Sequence, residues 1–329
     1  MSGRSPRRPR RARARTTSFL TALPLVPTLI AVALLTTACI PVRSEAPVAV
    51  GTIVFDSSRD GPNFEIFTMA SDGSNLVKLT ADPTYDSWWP RLSPDRHSIL
   101  FYRTPAGVHD HDYTKTELWQ MGADGTGLVR LREAGADGWY FQGHAGWSPD
   151  GLAMVMFGGQ QMGPQLFVTD ALGQNVTQLT DRPGTNVDPA YTADGRVVFV
   201  GCAQAWCMPE DYEVFLLDPD TGAETRITND RVRDHDPAVS PDGQRVAWLT
   251  LIPTGGWDLK VADIDGSGAR RVFGTGTMVG APVWIDATHF LVHKVVPPGG
   301  YQIHKVDAVS LTVTNLTPNW PGSQEYPAA

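Results

Sequence analysis

The chain predicts an all-β fold, a six-bladed β-propeller of four-stranded antiparallel blades, and two observations carry that prediction. A Ser-Pro-Asp-Gly turn recurs at Ser93-Pro94-Asp95-Arg96, Ser148-Pro149-Asp150-Gly151 and Ser240-Pro241-Asp242-Gly243, and in degraded form at Thr192-Ala193-Asp194-Gly195 and Ile285-Asp286-Ala287. The steps between their first positions are 55, 44, 48 and 45 residues, the range of propeller blades. A second marker runs in phase six times: a β-rich segment, a turn and a short strand, from Glu65…Leu79-Thr80 to Ile303…Leu316-Thr317.

The turn has a mechanism. Pro presets φ, Asp hydrogen-bonds its own backbone, and Gly takes the left-handed conformation of a bulged hairpin. Each repeat then reads as four strands with period-two alternation, and no amphipathic helix is evident after residue 45. Strands that follow the turn should begin near residues 52, 98, 153, 196, 245 and 289. Inner strands should centre near Pro90, Ala145, Pro189, Pro237 and Pro282, which is one short of six. The missing one is expected at the C-terminus, because Glu325-Tyr326-Pro327-Ala328-Ala329 resembles Val187-Asp188-Pro189-Ala190-Tyr191. That tail should pair with the strand at Thr52 and close the ring without an open edge. Trp119, Trp147, Trp248 and Trp284 are expected to pack between blades.

Ser57-Ser58-Arg59-Asp60-Gly61, Glu65-Ile66-Phe67, Asp72-Gly73-Ser74-Asn75 and Leu79-Thr80, taken with Trp147-Ser148-Pro149-Asp150-Gly151, resemble the repeat of TolB-type, WD-like β-propellers. The resemblance runs from about residue 50 to the end. It implies the fold. The α/β domain that precedes the propeller in TolB itself is not expected here, so a Tol–Pal role is not carried over.

Residues 1–15 hold seven arginines and no acid, and Phe19 to Leu35 is uncharged and mostly apolar. With Thr36-Thr37-Ala38-Cys39 this reads as a signal peptide over 1–38 with lipid attachment at Cys39. An uncleaved anchor is the competing reading, but 17 residues with Pro24 and Pro27 fall short of a span of about 20. Export by the general or the twin-arginine route stays open. Residues 39–49 read as an unstructured lipidated tether and 50–329 as the propeller. Of the 27 basic and 35 acidic residues, the leader removes seven arginines. The mature net charge of −15 opposes binding to nucleic acid; membrane contact is expected through lipid alone, and a monomer is expected.

Beyond Cys39 only Cys202 and Cys207 remain. In an exported protein they predict a disulfide across a hairpin end; two free thiols or half a metal site are the alternatives, though the spacing is not that of a zinc knuckle.

Alignment on the turn places Trp89, His144, Asp188, Asp236, Ala281 and Tyr326 in one column, preceded by Trp88, Gly143, Val187, His235, Gly280 and Glu325. His144, Asp188, His235, Asp236 and Glu325 could therefore ring one channel mouth, where imidazole and carboxylates suit a divalent metal ion or acid–base chemistry. Alternatively, the Asp before Pro, which recurs in TolB-like repeats, caps backbone N–H groups. Trp88, Trp89 and Trp139 are candidates for an aromatic platform for sugar rings, or else plain packing. His109-Asp110-His111-Asp112 reads as a solvated polar loop in the longest repeat, with metal binding the lesser alternative.

There is no Gly-x-Ser-x-Gly, phosphate loop or dinucleotide fingerprint. The function expected is that of a non-catalytic exported scaffold, lipid-anchored at the cell envelope and binding an envelope protein or glycan. The alternative is a glycan-binding module or a metal-dependent enzyme resembling oligogalacturonate lyases.

Overall fold

In the computed structural model residues 42–160, 163–202, 208–253, 255–274 and 278–329 are described. Among them the only helices are four single 3₁₀ turns, and none is long and apolar enough to cross a membrane. The 24 strands of the described residues fall into six four-stranded antiparallel sheets. The inner strands of blades 2 to 6 are Tyr85–Leu92, Phe141–Trp147, Asn186–Tyr191, Asp234–Val239 and Val279–Trp284. Blade 1 takes its inner strand, Gln324–Ala328, from the C-terminus and its outer three from Thr52–Ser57, Glu65–Ala70 and Val77–Lys78. The pairing Val54↔Ala328, Asp56↔Glu325 and Ser57↔Gln324 is the predicted closure. The second strands begin at Thr52, Ser98, Ala153, Val197, Arg245 and His289, within one residue of expectation.

The turns behave as their residues dictate. In the third blade Ser148 Oγ donates to Asp150 Oδ1 at 2.6 Å, Asp150 Oδ1 accepts from Leu152 N at 3.0 Å, and Gly151 sits at φ 71°. Ser240 and Asp242 repeat the arrangement at 2.5 Å with Gly243 at φ 70°. At Ser93 the fourth residue is Arg96, which takes φ 63° without being glycine.

Blades bury their faces against one another. Val155 and Leu166 of blade 3 pack with Val197, Phe199 and Phe215 of blade 4; Val198 and Leu216 of blade 4 pack with Val246 and Trp248 of blade 5. The indoles expected between blades include two that also bridge them by hydrogen bonds: Trp147 Nε1 donates to Arg91 O at 3.2 Å and Trp284 Nε1 to Ala238 O at 3.0 Å.

Two differences from the sequence reading concern the ends of loops. The segment expected to be an unstructured tether is ordered from Val42 onward. Val42 O accepts from Ser98 Oγ at 2.6 Å and Gln120 Nε2 at 3.0 Å, and Ser44 N and Val48 N donate to His97 O and Arg96 O at 2.9 and 3.0 Å. Its backbone is satisfied by a neighbouring turn, so it needs no periodicity of its own. Of the loop expected to be solvated, His109 is buried and turns inward with Asp110, as described below, while His111 is exposed. Cys202 is buried and disulfide-bonded; Cys207 and Cys39 lie outside the described residues.

Candidate functional site

Every inner strand breaks register at the same place: between Trp88 and Arg91, Gly143 and Gly146, Val187 and Ala190, His235 and Ala238, Gly280 and Val283, and, across blade 1, between Val54 and Asp56 opposite the tail. These are β-bulges, which re-aim a side chain and leave a residue off the ladder. Pro is tolerated directly after, since no N–H is required there. The column read from the sequence is the bulge itself. Trp89, His144, Asp188, Asp236 and Tyr326 have φ of 55°, 51°, 52°, 46° and 44°, a left-handed conformation that costs a non-glycine residue about 1–2 kcal/mol. The same costly backbone repeats in five of the six blades, and such strain persists only where the surrounding structure over-determines it. Ala281 alone in the column keeps a negative φ, and Gly280 beside it is required, because a Cβ there would lie 1.8 Å from His293 Nε2.

The bulges bring four of the five predicted residues into direct contact. His144 Nδ1 lies 2.8 Å from Asp188 Oδ1 and 3.8 Å from Asp236 Oδ1, and His235 Nδ1 lies 2.7 Å from Asp188 Oδ2. Arg233 Nε donates to His235 Nε2 at 2.8 Å, so Nδ1 carries the hydrogen given to Asp188. His144 Nε2 contacts the Tyr113 hydroxyl at 2.8 Å, and its ring stacks on Trp89 at 3.9 Å. Burial pushes Asp188 up, but the charge of His235 and the hydrogen bonds from both histidines outweigh it and hold the carboxyl far below its ordinary range. Asp236 moves oppositely: burial and repulsion from Asp188 raise it to about 6. For His144 burial lowers and the Asp188 hydrogen bond and charge raise, with a net rise.

The fifth residue, Glu325, belongs to a second group that the sequence reading did not assemble. Asp56, fully buried, lies 3.2 Å from His109 Nε2 and accepts from Trp89 N at 3.3 Å. Asp110 accepts from both the Tyr113 and Tyr326 hydroxyls. Burial and the nearby Asp56 raise Glu325 to about 8. His109 and Asp110 thus plug one end of the channel, contrary to the solvated loop expected. The signal available for this was the 55-residue step, whose surplus residues had to go somewhere. His293, missed entirely, accepts from Tyr326 N at 3.0 Å; burial, with His109 and Arg91 nearby, lowers it to about 3.

The other end is open. A cavity of about 400 Å³ descends from the Ser-Pro-Asp turns to Trp89, His144, Asp188 and Asp236, with walls that include Trp147, Trp284, Tyr191 and Pro237. Of the expected aromatic platform only Trp89 lines it. Trp88 is fully buried beneath Tyr102 and Tyr113, and Trp139 is packed on Phe167 at 4.3 Å and under Arg132 at 4.6 Å. Neither face is free for a sugar ring.

His144, Asp188 and Asp236 each offer one donor atom, all within 4.8 Å of one another, a set that could hold a cation. The nitrogens of His144 are also engaged, by Asp188 and Tyr113, and those of His235, outside this set, by Asp188 and Arg233.

No protein-family model matches the chain. Among curated proteins it is 28% identical over 261 residues to an uncharacterized protein of Agrobacterium fabrum, covering 74% of this chain and 86% of that one. It is 26% identical over 103 residues to a TolB homolog of Chlorobium luteolum, covering 31% of this chain and 22% of that protein. Among solved structures, TolB from Acinetobacter baumannii superposes with a TM-score of 0.69 at 15% identity, over 84% of this chain and 66% of that one. A putative TolB from Agrobacterium tumefaciens gives 0.61 at 16% identity, over 82% and 90%. A puromycin hydrolase gives 0.55 at 12% identity, over 85% of this chain and 54% of the hydrolase.

Proposed function

We propose that this chain, a TolB-type six-bladed β-propeller, is a non-catalytic binding protein of the cell envelope, exported by its leader, anchored through lipid at Cys39 and receiving a partner in the funnel. One observation carries the reading. The channel is closed at one end by Asp110, Tyr113 and Tyr326 and open at the other through aromatic and proline walls onto a charged floor. A blind, mostly apolar concavity with a few convergent polar groups is how ligand sites are built.

The histidines support binding over turnover. His144, on the floor, is engaged by Asp188 and Tyr113, and His235, which does not line the cavity, by Asp188 and Arg233. The peptidases that share the propeller fold are longer chains, and no Gly-x-Ser-x-Gly is present in this one. The likeness to TolB proteins favours an envelope partner by analogy of fold.

The test is capture from envelope extract with the intact chain and with Ala238→Trp, which fills the funnel wall. A partner retained by the first and lost by the second is expected; equal retention would move the binding site elsewhere. The donor atoms of His144, Asp188 and Asp236 favour a second reading, a metal-dependent enzyme acting on acidic sugars. Elemental analysis of wild type and His144→Ala, with a uronate-lyase absorbance assay in added manganese, decides it.

A further inference from the structure

Away from the channel, one pair of positions recurs at each of the six blade junctions. It joins the first or second residue of the third strand in one blade with the position two before the bulge in the next. Between blades 3 and 4 these are Gln165 and Asn186, whose amides hydrogen-bond at 3.1 Å. Between blades 6 and 1 they are Gln302 and Gln324, and between blades 2 and 3 Glu117 and Gln142; between blades 1 and 2 they are Glu65 and Ser87, and between blades 5 and 6 Asp258 and Val279. Only between blades 4 and 5 do two carboxylates occupy the pair, Glu213 and Asp234.

Both are buried, with 1% and 0% exposure. Glu213 Oε1 accepts from Arg226 Nη2 at 2.8 Å and Arg231 N at 3.1 Å, and Asp234 Oδ2 accepts from the Thr228 hydroxyl at 2.7 Å. Glu213 Oε2 has no hydrogen-bond partner, while Asp234 also lies against the hydroxyl of Thr250, its partner across the sheet. An orphaned buried carboxylate oxygen carries a heavy desolvation cost. A third carboxylate, Asp230, comes from the connecting loop. Its side chain is 44% exposed and paired with Lys260 Nζ at 2.8 Å, which leaves a path from solvent. Donor atoms of all three lie within 4.8 Å of one another.

We infer that Glu213, Asp230 and Asp234 form a divalent-cation site that staples blade 4 to blade 5, and that the cation is calcium. The donors are all oxygen, which selects hard cations. Ca²⁺ takes six to eight oxygen ligands in flexible geometry, which suits two strand carboxylates and one from a loop, whereas Mg²⁺ demands near-ideal octahedral geometry and keeps several of its waters. Binding draws Asp230 from Lys260 and fills the orphaned position on Glu213.

Calcium titration followed by thermal melting tests this on the intact chain. The melting temperature of wild type should rise in millimolar CaCl₂, return with EGTA and ignore MgCl₂, and isothermal titration should show one calcium site. Glu213→Gln with Asp234→Asn recreates the Gln165–Asn186 pair; it should melt above calcium-free wild type and lose the calcium response. Asp230→Asn, at an exposed position, should weaken calcium at least tenfold with the fold intact, and this arm stands if the double variant does not fold. Equal calcium shifts in wild type and variants would place binding elsewhere on the acidic surface and overturn the site. No shift in wild type would also overturn it, leaving a shared proton between the two carboxyls.

Discussion

Glu325 is held protonated by burial and by Asp56, and this has a direction that can be measured. A carboxyl raised from 4.5 to about 8 on folding binds a proton in the native state that the unfolded chain releases, so its contribution falls as pH rises between those values. Glu325→Gln should therefore melt higher than wild type at pH 8.5 and converge with it near pH 4.5, as read by thermal denaturation; parallel curves would contradict the assignment. Asp188 is the opposite case. Its lowered carboxyl contributes stability above the ordinary aspartate range that is lost as pH falls through it. Asp188→Asn leaves His144 and His235 without their shared anion and should cost about 3 kcal/mol in chemical denaturation at pH 7. These residues were legible because the bulge repeats in register with the turn, so alignment on Ser-Pro-Asp-Gly aligned the channel too. His109, Asp110 and Asp56 were not, because the loop has no period and a lone Asp in a strand pattern gives no sign of which way it faces.

At the scale of elements, the turn and the interblade indoles determine where each strand starts and how neighbours meet. The hydrogen bond from Trp147 to Arg91 O crosses from blade 3 to blade 2. Trp147→Phe keeps most of the apolar contact and should cost about 1 kcal/mol, while Trp147→Ala should cost about 3–5 kcal/mol; equal losses would mean the indole N–H does no bridging. Strand starts were readable to a residue because Pro, Asp and Gly act locally. The ordering of Val42 to Ala49 was not, since it depends on the carbonyls of Arg96 and His97, the His97 ring and the Ser98 hydroxyl, which only the folded ring presents together. The same holds for Trp88 and Trp139: an aromatic in a strand pattern can face a channel or a neighbouring blade, and the choice is made by packing.

For the whole molecule, closure by the tail makes the ring one cooperative unit. Removing residues 320–329 strips blade 1 of its inner strand and should abolish a single sharp melting transition; a truncated chain melting like the intact one would refute the dependence. Cys39→Ser should abolish incorporation of labelled fatty acid and move the protein from the membrane to the soluble fraction. The central claim is that the funnel receives the partner, and site-specific photocrosslinking in living cells tests it most directly. A photoreactive residue at Tyr191, on the funnel wall, should give a discrete higher-mass adduct, and one at the exposed Tyr140, beyond the plugged end, should give none. Adducts from Tyr140 alone, or from neither, would contradict it.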